Sequence, residues 1–548
     1  MWMVTCHQTF TFFSAGLLFL LGLSTAMAQP PLWFLPVLWI AYPIALYLIL
    51  ARPGWRGAWL LVWAFWWGQI TGGMYWLAWI VGVDLATYWW VTPFAVLGLP
   101  GFLALVQSPL WLVVWWLDRR WRLGPLAALF LFAGSAMLAE GVRGWIFTGL
   151  PWGPLGTVWG FHPVTLQLSA WIGVFGLTAL TTLSAGAPML VLHEGRWARA
   201  LVLSFAPLFL LVGFGMWRLD AVQDAAAAPT GTVVRLVQPG TNSLIRLPEA
   251  ERRQRVVDLI ALSFPPSHET AAETGAESDG ASTTQAATLA IWSESSIQFF
   301  IDFFPEELEW LTAQLPRGAQ IIAGGLGASP PNGPNEPQPT NTAYFITDAG
   351  IQQRHDKAHL VPFGEYLPWF VSWVPIPAFS AGSFWQGEGL STWQIDGLPT
   401  VAPLICYEMI FPGSVVRRDG PRPAWMVNIS NDGWYGDTSG PRQHFIFARF
   451  RAVEEGLPMV RVGGTGISGL IDAAGRVQAK IPYGSAKVVD VDLPRALPIT
   501  AFGQYSRLIF WTLALGLMLT GFALGWIMRR NSFVHKLHKL IKNALINL

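Results

Sequence analysis

Eight apolar runs, each long enough to cross a bilayer, bracket one long polar segment in this 548-residue chain. A spanning helix needs about 20 predominantly apolar residues. The runs fall at residues 12–28, 32–50, 57–83, 88–117, 125–141, 164–192 and 201–217, with the last at 508–528. Several contain Gly and Pro, which membrane helices tolerate. Composition agrees with this division. Charged residues make up 12% of the chain, against roughly 25% in soluble proteins. Hydrophobic residues make up 53%, and there are 32 Trp. The net charge of +1 offers no basic field for nucleic acid. The first run ends in Ala26-Met27-Ala28, which has the form of a signal-peptidase site. A second apolar run follows at once, so a retained helix is expected.

Short-loop basic residues set orientation. Arg52 and Arg56, then Arg119, Arg120 and Arg122, then Arg196 and Arg199 follow alternate runs, and Arg529, Arg530, Lys536, Lys539 and Lys542 follow the last. The other loops hold little charge: Asp84 in one and Arg143 in another. The basic loops therefore lie on one face, expected to be cytoplasmic, with both termini there and the polar segment opposite. Intramembrane charge, the usual mark of a transport path, is confined to Glu140 and Arg143 near a helix end. Trp89-Trp90 and Trp115-Trp116 read as interfacial anchors. The aromatic loop from Trp145 to Trp152 reads either as an anchor or as a lip that receives lipid.

From residue 220 to about 506 the pattern changes to short apolar runs with turn signals. Strands are expected at 233–237, 288–292, 320–324, 342–347, 352–355, 400–405, 424–429, 459–462, 468–471 and 487–491, and helices at 249–264, 305–315 and 443–456. Residues 265–287, rich in Ser, Thr, Ala, Gly and Glu, read as an inserted loop. This mixture predicts an α/β or α+β domain around a sizeable sheet. Three domain-level pieces result: a transmembrane part at 1–219 (about seven helices), a soluble part at 220–506, and a final helix with a basic tail at 507–548.

Three polar groups stand at strand ends, where a rigid sheet displays its loops. Glu294 follows the strand ending at Trp292, Lys357 follows the hairpin, and Cys406 ends the run Pro403-Leu404-Ile405. The chain has two cysteines, and Cys6 is remote in sequence. A lone thiol is either a small buried hydrophobe or a nucleophile, and isolated Glu and Lys residues on loops are ordinarily solvated. Together they make a chemically complete set: a base for the thiol proton, an ammonium for the developing oxyanion, and the attacking sulfur. His355 and His359 lack the further ligands a metal needs, so neither metal nor cofactor is expected.

Those residues carry a resemblance. Trp292-Ser293-Glu294-Ser295, the run from Lys357-Ala358-His359 through Phe363-Gly364-Glu365-Tyr366-Leu367-Pro368, and Ile405-Cys406-Tyr407-Glu408 resemble the nitrilase, or carbon–nitrogen hydrolase, superfamily. So do Gly440-Pro441-Arg442-Gln443-His444, Arg451-Ala452 and Thr465-Gly466-Ile467-Ser468. With helices on both sides, the whole chain resembles the apolipoprotein N-acyltransferase family of Gram-negative bacteria. The resemblance implies an α-β-β-α sandwich beside a multi-helix membrane domain, in the inner membrane with the soluble domain in the periplasm. It implies Glu294 as base, Lys357 as oxyanion stabiliser and Cys406 as nucleophile, with Glu365, Tyr407 and Glu408 supporting the site. The implied partners are a phospholipid acyl donor, such as phosphatidylethanolamine cleaved at sn-1, and a diacylglyceryl apolipoprotein acceptor. Trp152 and Phe363 are candidate substrate contacts. Phe363, Trp369 and Trp385 either cover the thiol or fill the core. The chain departs from the family pattern at Ser293 (commonly Pro) and Gly464 (commonly Asn), and has no Trp near Leu247. Two other readings share these features: a membrane-anchored amidase using the same triad, and a non-catalytic lipid-binding assembly protein.

Overall fold

The computed structural model describes residues 2–82, 89–241, 248–265, 289–329, 337–368 and 383–546. Asp84, Leu247, Trp369 and almost all of the expected insertion lie outside them, as do the side chains of Cys6 and of the three tail lysines. The chain divides into two compact units, Met1–Arg218 with Gln504–Leu548, and Leu219–Gly503.

The first unit is helical: α1 (Trp2–Ser24), α2 (Leu38–Ala51), α3 (Trp55–Gly73), α4 (Leu99–Trp121), α5 (Pro125–Arg143), α6 (Ser169–Gly186), α7 (Trp197–Ala227, whose last turns belong to the second unit) and α11 (Ala501–Ile546). Among the described residues six helical stretches are long and apolar enough to cross a membrane: Thr11–Ala28, Trp89–Trp121, Pro125–Arg143, Ser169–Glu194, Trp197–Ala227 and Ala501–Arg530. The other two expected runs are also helical. Leu35–Ala51 is apolar but shorter, and α3 carries Arg56, Gln69 and several glycines that dilute its hydropathy. Those glycines serve packing. A Cβ on Gly68 would lie 1.9 Å from the Phe19 carbonyl oxygen, and one on Gly22 would lie 2.1 Å from that of Phe65. Small residues let the backbones of α1 and α3 touch, and such contact is a main source of association where lipid supplies no hydrophobic drive.

Glu140 and Trp159, buried in this unit, both have polar partners, as a low-dielectric interior favours. Glu140 accepts the Leu155 amide at 2.7 Å and the Thr178 hydroxyl at 2.5 Å. Trp159 Nε1 donates to Thr181 Oγ1 at 2.7 Å. Of the expected anchors, Trp89, Trp90 and Trp116 are exposed, whereas Trp115 is buried and donates to the Arg52 carbonyl at 3.0 Å.

The second unit holds twelve described strands: β1 (Pro229–Gln238), β2 (Leu289–Ile291), β3 (Ile297–Phe300), β4 (Gln320–Ala328), β5 (Pro339–Thr347), β6 (Gly350–Asp356), β7 (Val401–Ile405), β8 (Trp425–Ile429), β9 (Met459–Val462), β10 (Ser468–Ile471), β11 (Val477–Ile481) and β12 (Lys487–Pro494). One sheet runs β12-β1-β2-β4-β5-β6 with β3 beside β4, and the other runs β11-β10-β9-β8-β7. Val234, Leu236, Ile291 and Phe345 of the first sheet meet Val401, Ile405, Val427 and Val460 of the second in one core. Successive side chains point to opposite faces, so Val237, Ala290, Trp292 and Ile321 face outward. There they pack beneath α8 (Glu249–Ser263) and α9 (Pro305–Gln314) through Val256, Leu259 and Leu311. The almost wholly buried α10 (Ser439–Glu455) lies against β9 and β10 of the second sheet. The expected α-β-β-α sandwich is therefore observed. Strands covered on both faces read as continuous apolar runs, which is why β2, β4 and β8 were legible. Pro403, which cannot donate to a ladder, falls on the edge strand β7, where that is tolerated.

Candidate active site

Parallel pairing brings the chemistry to one end of the sandwich. β1, β2 and β4 run parallel, as do β7, β8 and β9. Glu294 follows β2, Cys406 follows β7 and Asn431 follows β8, all at carboxyl ends. β6 is antiparallel to β5 with Thr342 opposite Asp356, so the next residue, Lys357, lies across from Asn341 and donates its amide to that carbonyl at 2.8 Å.

Backbone strain marks the same place. Among the described residues of this unit, three non-glycine residues have left-handed φ: Ser295 (59°), Phe363 (63°) and Cys406 (48°). Such conformations cost of order 1–3 kcal/mol and persist where the surroundings impose them, chiefly at functional sites. Ser295 follows Glu294, Phe363 lies between Lys357 and Glu365, and Cys406 is the thiol itself. Room for the first bend comes from Gly324, where a Cβ would stand 2.5 Å from the Glu294 Cα.

The side chains converge. Lys357, 1% exposed, donates from Nζ to Glu294 Oε1 at 3.2 Å and to Glu365 Oε1 at 2.8 Å. Asn341 Nδ2 donates to the same two oxygens at 2.7 and 2.8 Å. The remaining carboxylate oxygens accept backbone amides at 2.8 Å: Glu294 Oε2 from Asn431, and Glu365 Oε2 from Val361. Two carboxylates thus face one ammonium. If Glu294 takes a proton, Lys357 and Glu365 remain a neutral pair.

Glu408 is fully buried and ties the loops together. It accepts the Ala358 amide at 2.7 Å and the Ile405 amide at 2.8 Å, and meets His355 Nε2 at 3.0 Å. The residue after Lys357 and the residue before Cys406 thereby share one anchor. Burial opposes ionisation of Glu408, yet His355 and the two amides outweigh it and hold the carboxyl below its ordinary value. Tyr407 is buried, with its ring 5.2 Å from that of Phe411.

Burial, then the Glu294 charge, push the Cys406 thiol up to about 12, against the pull of Lys357. Burial also works against the Lys357 charge, but Glu294, Glu365 and Cys406 outweigh it and keep the ammonium well above its usual value. The resting site is a thiol beside a carboxylate and a cation. A thiol of this kind needs a base at the moment of attack. No group of three or more His, Cys, Asp or Glu among the described residues is arranged to hold a metal ion.

The other candidates fall differently. Phe363 is half-buried, and Trp385 is 37% exposed. Trp152 is 2% exposed and packs in the first unit, 4.5 Å from the Trp76 ring; the exposed aromatics of its loop are Trp145 and Phe147. Ser293 and Gly464, the two departures from the family pattern, are neighbours: a Cβ on Gly464 would come 3.2 Å from Ser293 Oγ. Sequence reasoning assigned no site role to Asn341, Asn428, Asp432 or Arg461, noted His444 only within a family-like motif, and weighed His355 only as a metal ligand rather than as the partner of Glu408. For Asn341, Asn428, Asp432 and Arg461 the signal was polarity inside or next to apolar strands.

Comparison with known proteins bears on the whole chain. The carbon-nitrogen hydrolase family matches residues 234–499, and the apolipoprotein N-acyltransferase N-terminal domain matches residues 21–187. An apolipoprotein N-acyltransferase of Rhodopseudomonas palustris is 33% identical, covering 89% of this chain and 91% of its own. Namesakes in Rhizobium meliloti (33%, covering 90% and 92%) and Sinorhizobium fredii (34%, covering 91% and 94%) are similar to the same extent. Identity at this level over both units, with a carbon–nitrogen hydrolase sandwich beside apolar helices, means that the chain belongs to the apolipoprotein N-acyltransferase family, the membrane acyltransferases that N-acylate lipoproteins.

Proposed function

We propose that the chain moves an acyl group in two steps through a thioester on Cys406, from the sn-1 ester of a phospholipid such as phosphatidylethanolamine to the amine of a diacylglyceryl-cysteine. In the first step Glu294 takes the thiol proton as Sγ bonds to the ester carbonyl carbon. The oxyanion forms beside the Lys357 ammonium. The carbon–oxygen bond to glycerol then breaks, and Glu294 returns the proton to the departing oxygen, releasing a lysophospholipid. In the second step the amine attacks the thioester carbonyl, Glu294 accepts its proton and passes it to the leaving sulfur, and an amide and a free thiol result. Glu365 balances Lys357 throughout, Glu408 and Tyr407 hold the nucleophile's turn, and Phe363 offers apolar contact to the acyl chain. In the membrane unit Trp152, packed against Trp76, backs the loop whose exposed Trp145 and Phe147 offer the lipid contact.

The observation that carries this reading is the fully buried Lys357 shared by Glu294 and Glu365 beside a protonated, strained Cys406. Such a set transfers a proton without water, and a preorganised cation at the developing charge is worth far more in a dry site than in solvent. The basic loops support an inner-membrane location with residues 220–506 in the periplasm, flanked by a transmembrane domain at 1–219 and a final helix and tail at 507–548. Purified protein incubated with labelled phosphatidylethanolamine should show an acyl mass on the Cys406 peptide, discharged onto a diacylglyceryl lipopeptide when that is added. Folded protein with no adduct would sink the mechanism. Discharge only to water would favour an amidase-like hydrolase.

A further inference from the structure

The turn that presents Cys406 is held from below. Cys406 adopts φ 48° immediately after β7, a conformation that β-strand pairing cannot maintain. Its carbonyl oxygen points into the unit and faces two donors, Asn428 Nδ2 and His444 Nε2, each at 3.3 Å. Asn428 lies within β8 and His444 on α10, so neither belongs to the turn they hold. Both are fully buried. Behind them Arg461 of β9 donates to Asn428 Oδ1 and, from Nη2, to both Asp432 oxygens at 2.8 and 2.7 Å. The same Nη2 is 3.0 Å from His444 Nδ1, which is itself 3.0 Å from Asp432 Oδ1.

Proton positions follow from these contacts. A carbonyl only accepts, so the His444 nitrogen facing Cys406 carries hydrogen. Burial and the neighbouring guanidinium hold the ring below its ordinary value, against the pull of Asp432 and the Cys406 carbonyl. Nδ1 faces Asp432 Oδ1 and the Arg461 guanidinium together, so the two partners hold the ring from the side away from Cys406. That grip fixes the plane of the imidazole and aims Nε2–H at the nucleophile's backbone.

We infer that His444, fixed by Arg461 and Asp432, is a positioning residue that pins the Cys406 carbonyl and so locks the strained turn that aims Sγ between Glu294 and Lys357. None of the three need touch substrate. A peptide unit is planar, so fixing the carbonyl fixes the plane of the Cys406–Tyr407 peptide; with β7 holding the chain on the amino side, the direction of Cα–Cβ follows. A misplacement of about 1 Å at a reacting atom costs on the order of a hundredfold in rate.

This inference rests on Cys406 being the acyl-accepting nucleophile, and the experiment separates the two. In the full-length protein, compare His444→Gln, whose amide can reach the position of Nε2, with His444→Asn, which is one methylene shorter, and with His444→Leu. Acylation of Cys406 by a p-nitrophenyl acyl ester is followed in a single turnover. Alkylation of Cys406 by iodoacetamide is followed by peptide mass. His444→Asn and His444→Leu should acylate ten- to a hundredfold more slowly at saturating ester, with half-saturation within twofold of wild type, and His444→Gln should recover most of the rate. Alkylation should quicken for His444→Asn and His444→Leu and stay near wild type for His444→Gln, because a displaced thiol escapes the burial and the Glu294 charge that hold it up. If His444→Leu does not fold, the Gln and Asn pair decides. Equal rates for Gln and Asn, or an Asn variant whose alkylation rate is unchanged or slower, would overturn the inference. Wild-type protein that forms no adduct counts against the thioester alone, since the alkylation order still reads the pin.

Discussion

Replacing Lys357 by Met removes one buried charge and keeps most of the volume. Its consequences can be worked from the contacts. In the native site Lys357 and Asn341 both stand between Glu294 and Glu365. Without the ammonium, two carboxylates remain on one amide donor. Two like charges about 4 Å apart repel by about 4 kcal/mol at the effective dielectric constant of roughly 20 that suits protein sites. The pair relieves this by keeping one proton. Two losses then combine in Lys357→Met. The oxyanion loses its cation, a deficit of about 10²–10³ in rate where single donors have been removed from such holes. The base is also protonated in part of the population. Breaking the buried pair should lower stability by about 3–5 kcal/mol, less whatever the uptake of a proton recovers. The assay is single-turnover acylation of Cys406 across pH, beside a thermal melt of each preparation. The variant should be slower by at least two orders of magnitude, and its residual rate should rise with pH as the shared proton leaves. A Lys357→Met protein within threefold of the wild-type rate, or one whose residual rate is flat with pH, would refute the argument.

Other expectations follow from the same contacts. Cys406 is held up to about 12 by burial first and then by Glu294, so its alkylation should be slow at pH 7–8 and show no midpoint near the ordinary thiol value of about 8.5; rates between pH 6.5 and 9.5 check this. Glu408→Gln should destabilise by about 1.5–3 kcal/mol, the range for hydrogen bonds to a charged group. Because the native Glu408 carboxyl is held below its unfolded value, its contribution is full above about pH 4.3 and fades as pH falls. The variant's melting temperature should therefore converge on that of the wild type in acid, and a constant difference would count against this. Gly68→Val should separate α1 from α3, since even a Cβ meets a backbone oxygen at 1.9 Å; loss of folded protein in detergent is expected, and normal yield and melting would contradict the close approach.

What could be read in advance had a physical pattern. Covered strands announce themselves as apolar runs, and β9 and β10 fell where the sequence put them. The two strands that went unrecognised, β3 and β11, are short, and β11 is an exposed edge reading Val-Gln-Ala-Lys-Ile without a clean alternation. Glu294, Lys357 and Cys406 were legible because each ends a strand and their residue types complete one another. Asn341 was not, because what selects it is the register of β5 against β6. The amides of Asn431 and Val361 carry no side-chain signal. His444 stood in a recognisable motif, but its partners Asn428 and Arg461 lie inside strands, where a polar residue betrays burial without saying what it holds. In the membrane unit, Trp115 looked like its exposed neighbour Trp116, and only helix rotation separates the buried ring from the surface one.

The sharing of Lys357 between two carboxylates bears on how a dry site handles successive greasy substrates. In the proposed cycle one proton travels from thiol to Glu294 to the departing glycerol oxygen, then from amine to Glu294 to sulfur. At every stage the enclosed groups and the reacting atoms carry the same total charge. Nothing has to be imported from bulk water or exported to it, so the pocket need not open to solvent between the two halves of the reaction. A thioester is thermodynamically prone to hydrolysis; a site that is electrically self-sufficient can keep it waiting for an amine simply by staying closed to water.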